Sequence, residues 1–410
     1  MSSAARLLIY SHDSFGLGHL RRCRAIAHHL VERYRQLSIL ILSGSPIIGS
    51  FDFKARVDFV RIPGVIKLRN GNYTPLSLHL DIEQTLAMRS SIIQHTAEIF
   101  DPHLFLVDKE PLGLRGEVGD TLEMLSDRGT RLVLGLRDVM DDPTLLRKEW
   151  QRKNVYPALN DLYDEIWIYG LPEIFNPLTE LPNMQHLAPK MSFTGYLRRQ
   201  LPLAPPDASE NELPNEPYLL VTTGGGGDGE ALIDWVLSAY ESEPDLPHPA
   251  LLVFGPFMNR DRRLAFQERA ARLAKVHAIT FEARFERLVE RAIGVVAMGG
   301  YNTFCEILSF GKPALIVPRT RPRREQLLRA RRAEALGLVR VLPDDEQRDP
   351  KIMAAELAIL PDWKPSQDID MAGFLGGLDQ IASLARPWLP VRARSAPETP
   401  LEQTVSPSAM

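Results

Sequence analysis

The chain has 410 residues, and its 48 lysines and arginines nearly balance its 52 aspartates and glutamates, for a net charge of −4. A length of that order exceeds one ordinary hydrophobic core and predicts two domains, and a charge so close to balance excludes a global attraction to nucleic acid or anionic lipid. The two cysteines, Cys23 and Cys305, fall in predicted helices of separate halves without metal-type spacing, which predicts reduced thiols and no disulfide framework. No apolar run approaches the roughly 18 residues that cross a bilayer. The opening residues run into a strand without the architecture of a signal peptide, so the expectation is a cytoplasmic protein.

The first half begins with a short buried-strand pattern at 7–10, followed by a glycine loop, a helical pattern over 20–35 and a second strand pattern at 37–43. Strand, crossover helix and strand form a parallel βαβ unit. Further strand patterns at 57–62, 104–107, 131–136 and 166–169 alternate with helical ones, which predicts an α/β domain with a doubly wound parallel sheet. After Tyr196 the composition turns to Pro, Asn, Glu and Ser, a linker signature. The second half repeats the arrangement with strands at 218–222, 251–254, 278–281, 294–297 and 314–317, and a last helix is predicted over 371–385. Beyond Val391 the apolar pattern fades and a disordered tail is expected. The expected partition is therefore 1–196, a linker at 197–216, 217–367, a terminal helix within 368–388 and a tail at 389–410.

The loop Ser11-His12-Asp13-Ser14-Phe15-Gly16-Leu17-Gly18-His19 leaves the carboxyl end of the first strand, where open α/β sheets bind ligands. It is not a dinucleotide fingerprint. Arg21 stands where the third glycine belongs, and Ser43-Gly44-Ser45 ends the second strand where an acidic residue is needed. His19 opens the helix, and a helix N-terminus disfavours imidazolium, so its ring is expected to be neutral and able to take a proton. The alternative role is a structural or capping histidine. Asp108 ends another strand at the same edge, where it either assists as a base or holds an acceptor, or caps the turn before Pro111. Arg137-Asp138 and Tyr169-Gly170 are weaker candidates at that edge. His12 and Asp13 are either close to the reacting centre or turn residues.

In the second half, Gly224-Gly225-Gly226-Gly227 follows the first strand. Consecutive glycines expose backbone N–H groups suited to phosphates, yet no Gly-Lys-Ser/Thr follows, so this is not a Walker loop. The segment 294–318 is the most informative of the chain. A β-branched strand runs into Gly299-Gly300, a short helix follows with Glu306 inside it, Gly311 ends that helix and Pro313 blocks its continuation. The glycine N–H groups and the positive helix end suit a diphosphate, and Glu306 lies where a carboxylate can accept from vicinal ribose hydroxyls. Seven of the fourteen residues from Arg319 to Arg332 are arginines. One or two of them, such as Arg324, are expected to neutralise a departing diphosphate; the rest form a solvated helix face or a peripheral contact for anionic lipid heads. Asp141-Asp142 lacks the flanking pattern of a metal site, so neither metal nor cofactor is assigned.

These motifs resemble the C-terminal donor domain of GT-B glycosyltransferases, in particular the branch around the MurG N-acetylglucosaminyltransferase. The first loop, read as Gly16-x-Gly18-His19-x-x-Arg22-Cys23, is similar to the signature of the related nucleotide-sugar hydrolases. The resemblance implies the GT-B fold, two Rossmann-like doubly wound domains facing a cleft, with the terminal helix crossing back onto the first domain. It implies a nucleoside-diphosphate sugar donor, most simply UDP-linked, and an unknown glycan, lipid or small-molecule acceptor. By the same resemblance Gly299 and Gly300 meet the diphosphate, Tyr301 and Asn302 belong to the donor site, Glu306 takes the ribose, and Glu325 and Gln326 take the hexose. The loop glycines Gly16, Gly18, Gly224, Gly225 and Gly226 approach the reacting centre and phosphates, His19 is the base and Asp108 its reserve. The implied reaction is metal-independent inverting transfer. The alternatives are hydrolysis of the nucleotide sugar, epimerisation, for which no acidic set is identified, and nucleotide-sugar binding without turnover.

Overall fold

In a computed structural model, which describes residues 4–13, 18–67, 72–177, 185–201, 214, 216–344, 346–366 and 368–390, each half of the chain is built on its own parallel sheet. The first contains β1 (Ala5–Ser11), β2 (Leu37–Ser43) and β3 (Val57–Arg61), then, after a separate antiparallel hairpin of β4 (Val65–Lys67) and β5 (Tyr73–Pro75), β6 (Leu104–Asp108), β7 (Arg131–Arg137), β8 (Glu165–Tyr169) and β9 (Met191–Phe193). Its order is β3-β2-β1-β6-β7-β8-β9. Leu7 pairs with Ile39 on one side and with Leu104 on the other. Strands covered by helices on both faces are apolar on both faces, and all five residues of β6 are buried.

The second sheet contains β10 (Leu219–Thr222), β11 (Ala250–Val253), β12 (Val276–Ile279), β13 (Gly294–Ala297), β14 (Ala314–Ile316) and β15 (Arg340–Val341), in the order β12-β11-β10-β13-β14-β15. Both sheets reverse direction of build beside their first strand, since β1 lies between β2 and β6 and β10 between β11 and β13. Loops leaving β1, β10 and β13 therefore open into the crevices where such sheets take ligands. The glycine loops are placed there by topology.

Two expectations are corrected and three short strands are added. The strand expected at 278–281 is β12 at Val276–Ile279, an edge strand in which only Val276 is buried, so its apolar content is a poor guide to its bounds. The hairpin β4–β5 and the two-residue β15 carry too little apolar pattern to be read. The single helix expected over 371–385 is two, Met371–Phe374 and Gly377–Ala385. The break lets the chain reach the first half: Tyr196 N donates to Phe374 O at 2.8 Å and Gly377 N to Tyr196 O at 3.1 Å. A side chain at Gly377 would meet Gly195 O at 2.5 Å, so glycine is required by close approach. The second helix packs on the first helix of the chain, where the Tyr34 hydroxyl donates to Ala382 O at 2.7 Å.

The two halves share buried contacts. One apolar cluster contains Ile26 and Tyr196 from the first, Leu220 and Phe304 from the second, and Ile381 from the last helix. Arg329 donates to both carboxylate oxygens of Asp138 across the join, at 2.7 and 2.6 Å, with both side chains buried. Most of the expected linker (202–213 and 215) and residues 391–410 of the expected tail lie outside the described residues. Among those described, no helix is long and apolar enough to cross a membrane.

Candidate functional site

His19 is the second residue of the helix Gly18–Arg33, and its side chain is 17% exposed at the cleft. Its Nδ1 lies 2.5 Å from Oδ2 of Asp108, the last residue of β6. Arg22, one turn further along the helix, donates from Nε to Asp108 Oδ1 at 2.8 Å and from its terminal nitrogen to Oδ2 at 2.5 Å. Burial alone would raise the Asp108 pKa, but the Arg22 guanidinium and His19 hold it well below the usual carboxylate range. An ionised carboxylate only accepts hydrogen bonds, so Nδ1 of His19 carries the proton and Nε2 is left as the basic nitrogen. Burial pushes the imidazole pKa down to about 4 against the pull of Asp108, so the ring is neutral at pH 7. Asp108 is thus built to orient His19, and as an ion-paired, fully buried carboxylate it is a poor base in its own right.

The rest of the first loop supports that pair. Asp13 accepts from Ser11 and Ser43, each at 2.6 Å, and from Leu20 N at 3.2 Å, which ties the end of β1 to β2 and to the helix start. His12 is buried edge-on against His19 with ring centres 5.6 Å apart, and burial lowers its pKa. Gly16 lies outside the described residues. Gly18 is held from the other half: Asn302 Nδ2 donates to Gly18 O at 2.9 Å, while Arg199 donates to Asn302 Oδ1 at 2.8 Å.

A cavity of about 350 Å³ runs between the halves, lined by Gly18 and His19 on one wall and by Gly224, Gly225, Gly226, Gly300, Tyr301, Asn302 and Gln326 on the other. Gly224 and Gly226 have φ of +69° and +87°, and a side chain at Gly226 would meet Phe254 O at 2.4 Å. Gly299, at φ +77°, makes the turn after β13, its carbonyl accepts from Arg329 at 3.0 Å, and Gly300 caps the helix Tyr301–Ser309. Gln326 accepts from Arg319 N at 3.0 Å. A larger open hollow of about 830 Å³, lined by Pro217, Pro249, Pro313 and Trp363, lies at the amino edge of the second sheet, away from these turns.

Four expected residues are placed differently from what their sequence positions imply. Glu306 is fully buried and does not line the cavity; its Oε1 is ion-paired with Arg21 of the first helix, which also meets Glu286 at 3.3 Å, and its Oε2 has no hydrogen-bond partner among the described residues. Burial, with Glu286 adding to it, pushes the Glu306 pKa up to about 7 although Arg21 pulls it down. Glu325 is buried and paired with Arg319 at 2.5 Å. Arg324 is half exposed, with its N donating to Asp141 at 2.9 Å and its guanidinium 3.5 Å from Asp142, outside the cavity wall. Asp138 serves the Arg329 pair and the Tyr196 hydroxyl, at 2.7 Å, so it is a joint between halves. Sequence reasoning missed Arg22 as the partner of Asp108, although its spacing of three from His19 puts both on one helix face.

Residues 219–367 match the glycosyltransferase family 28 C-terminal domain. The chain as a whole has the GT-B fold, and its second half carries the family 28 glycosyltransferase domain. Among solved structures, this GT-B chain is similar to the glycosyltransferase of kitacinnamycin, with a TM-score of 0.61 and 14% identity over 94% of this chain and 100% of that one. It is similar to Phytolacca americana UGT2 complexed with UDP-2-fluoro-glucose and pterostilbene, with a TM-score of 0.59 and 14% identity over 93% and 94% of the two chains. It is also similar to Acinetobacter baumannii MurG, with a TM-score of 0.52 and 12% identity over 93% and 99%. No curated protein matches the chain in sequence. At such identities the structural likeness establishes the GT-B fold of the two domains, and the family match places the glycosyltransferase domain in the second half, on the wall that faces His19.

Proposed function

We propose that this GT-B glycosyltransferase transfers a sugar from a nucleoside-diphosphate donor, most simply UDP-linked, to a hydroxyl acceptor, without a metal and with inversion. The observation that carries the reading is a neutral, carboxylate-oriented histidine facing glycine turns across one cavity. In this reading residues 1–196 receive the acceptor and 217–367 the donor. Gly224, Gly225, Gly226, Gly299 and Gly300 offer backbone N–H groups and a helix N-terminus to the diphosphate. Tyr301 and Asn302 shape the donor wall, Gln326 and Glu325 meet the hexose, and Glu306 takes the ribose. A likeness to a protein complexed with UDP-2-fluoro-glucose supports uridine as the base.

His19 Nε2 takes the proton of the acceptor hydroxyl as its oxygen forms a bond to the anomeric carbon, and the bond from that carbon to the diphosphate oxygen breaks on the opposite face. Inversion follows from this single displacement. Asp108 keeps Nδ1 protonated and stabilises the imidazolium that forms. Water could occupy the acceptor position, and the hydrolase-like spelling of the first loop favours that as the second reading. Products of a labelled donor, followed with and without candidate acceptors, separate the two: free sugar and nucleoside diphosphate released rapidly without acceptor would sink transfer, whereas glycosylated acceptor with nucleoside diphosphate supports it.

A further inference from the structure

Arg137 ends β7 at the carboxyl edge of the first sheet and lines the same cavity as His19, the Gly224–Gly227 loop and Gly300. Every other arginine on that wall is committed to a carboxylate: Arg21 to Glu306 and Glu286, Arg22 to Asp108, Arg319 to Asp228 and Glu325. The Arg137 side chain has neither ion pair nor hydrogen bond among the described residues, and its Nε is buried without a partner. The one carboxylate that favours its charge is Glu325, itself held by Arg319, and Arg22, Arg329 and Arg323 oppose it. Burial lowers its pKa to about 10, which leaves the guanidinium charged at neutral pH. Arg137 is only partly exposed, at the cavity, and a partly desolvated charge without a counterion is costly unless an anion completes it.

We propose that Arg137 binds the phosphate oxygens of the donor diphosphate, so that the anion site formed by the second half's glycine turns is closed by a cation from the first half. The proposal rests on the donor reading given above. A guanidinium presents a planar fork that can meet two phosphate oxygens at once. The glycine N–H groups opposite supply neutral donors, so Arg137 supplies the positive charge that sequence reasoning assigned to Arg324. Because Arg137 and the glycine turns belong to different halves, a bound diphosphate bridges them. Charge that builds on the leaving diphosphate as the sugar departs then meets a fixed cation.

The test uses the full chain and calorimetry with UDP, GDP and dTDP and their nucleosides, on wild type, Arg137→Gln and Arg137→Lys. Arg137→Gln is expected to weaken the best diphosphate about tenfold or more, the loss typical of a charged hydrogen bond, with the matching nucleoside unchanged. Turnover should fall more than the Michaelis constant rises, and Arg137→Lys should recover part of both losses. Diphosphate affinity equal to wild type would overturn the proposal, and if only an acceptor then binds more weakly the anion belongs to the acceptor. Equal weakening of diphosphate and nucleoside overturns it too, as a general distortion. Should Arg137→Gln fail to fold, Arg137→Lys carries the test, because loss of the fork at constant charge must weaken the diphosphate severalfold and spare the nucleoside. If wild type binds none of the diphosphates, the donor reading itself falls, and this proposal with it.

Discussion

Arg21, on the first helix of the N-terminal half, is ion-paired with Glu306, on the helix that follows the glycine turn of the C-terminal half. The carboxylate proposed to hold a ribose is thus already engaged from across the cleft, with Oε2 left without a partner among the described residues. Ribose hydroxyls must either use that second oxygen or displace Arg21. In both cases the carboxylate is the acceptor, so Glu306→Ala is expected to weaken nucleoside-diphosphate binding by about 1–3 kcal/mol, the range for a lost charged hydrogen bond. Calorimetry on folded protein checks this, and unchanged affinity removes Glu306 from the donor site.

The same residue predicts a pH dependence of stability. Burial raises its pKa from 4.5 to about 7, so between those values the folded state holds a proton that the unfolded chain has released. The contribution of Glu306 is fully present below about pH 4.5 and is lost as pH rises through 7. Glu306→Gln has no such titration. Its stability relative to wild type should therefore increase from pH 5 to pH 8, whatever constant offset the unpaired Arg21 adds. Denaturant unfolding of both proteins at the two pH values gives the comparison, and a difference that does not change with pH would contradict it.

What could be read from the chain, and what could not, follows from how far apart the interacting residues lie. The strands at 37–43 and 294–297 have the bounds expected of them because a short, largely buried strand writes its identity in a nearly continuous apolar run. His19 and Asp108, 89 positions apart, could both be named because each follows a strand at a ligand-binding edge, although their contact could not. Arg21 and Glu306 are separated by 285 positions and Asp138 and Arg329 by 191, and nothing local in either pair announces the other. Arg324 illustrates the converse. Among seven clustered arginines, local sequence cannot tell a solvated cap from a cavity wall, and the unpaired cation came from β7 of the other half.

Asp138 and Arg329 should matter to stability more than to chemistry. Their side chains are buried and joined by two hydrogen bonds of 2.6 and 2.7 Å. Arg329→Met leaves the carboxylate with only the Tyr196 hydroxyl, and removing one partner of a buried ion pair typically costs about 3–5 kcal/mol. Adding Asp138→Leu removes the stranded charge and should recover part of the loss. Unfolding measurements on the single and double variants decide the matter: a loss below about 1 kcal/mol for Arg329→Met would mean that water replaces the arginine and that the joint is not dry.

His19 is where the proposed chemistry is most exposed to test. If Nε2 accepts the acceptor proton, His19→Ala should lower turnover by about a hundred- to ten-thousandfold, the range for loss of a general base, with donor affinity nearly unchanged because the proposed nucleotide contacts do not include the His19 imidazole. The imidazole pKa of about 4 adds a signature: in the free enzyme the base is already neutral at pH 6, so kcat/KM should be flat with respect to His19 from pH 6 upward and fall as pH drops toward 4. Stability should move in the same window, since a histidine whose pKa is lowered by burial contributes fully above its ordinary value of 6.5 and loses that contribution as acid protonates it. Asp108→Asn is the less clean variant, because it leaves Arg22 buried beside a neutral amide and disturbs the histidine tautomer together with the fold. The deciding measurement is therefore turnover per folded molecule of His19→Ala, with nucleotide affinity taken on the same sample. Near-wild-type turnover would leave His19 a purely structural partner of Asp108 and require the proton to leave by another route.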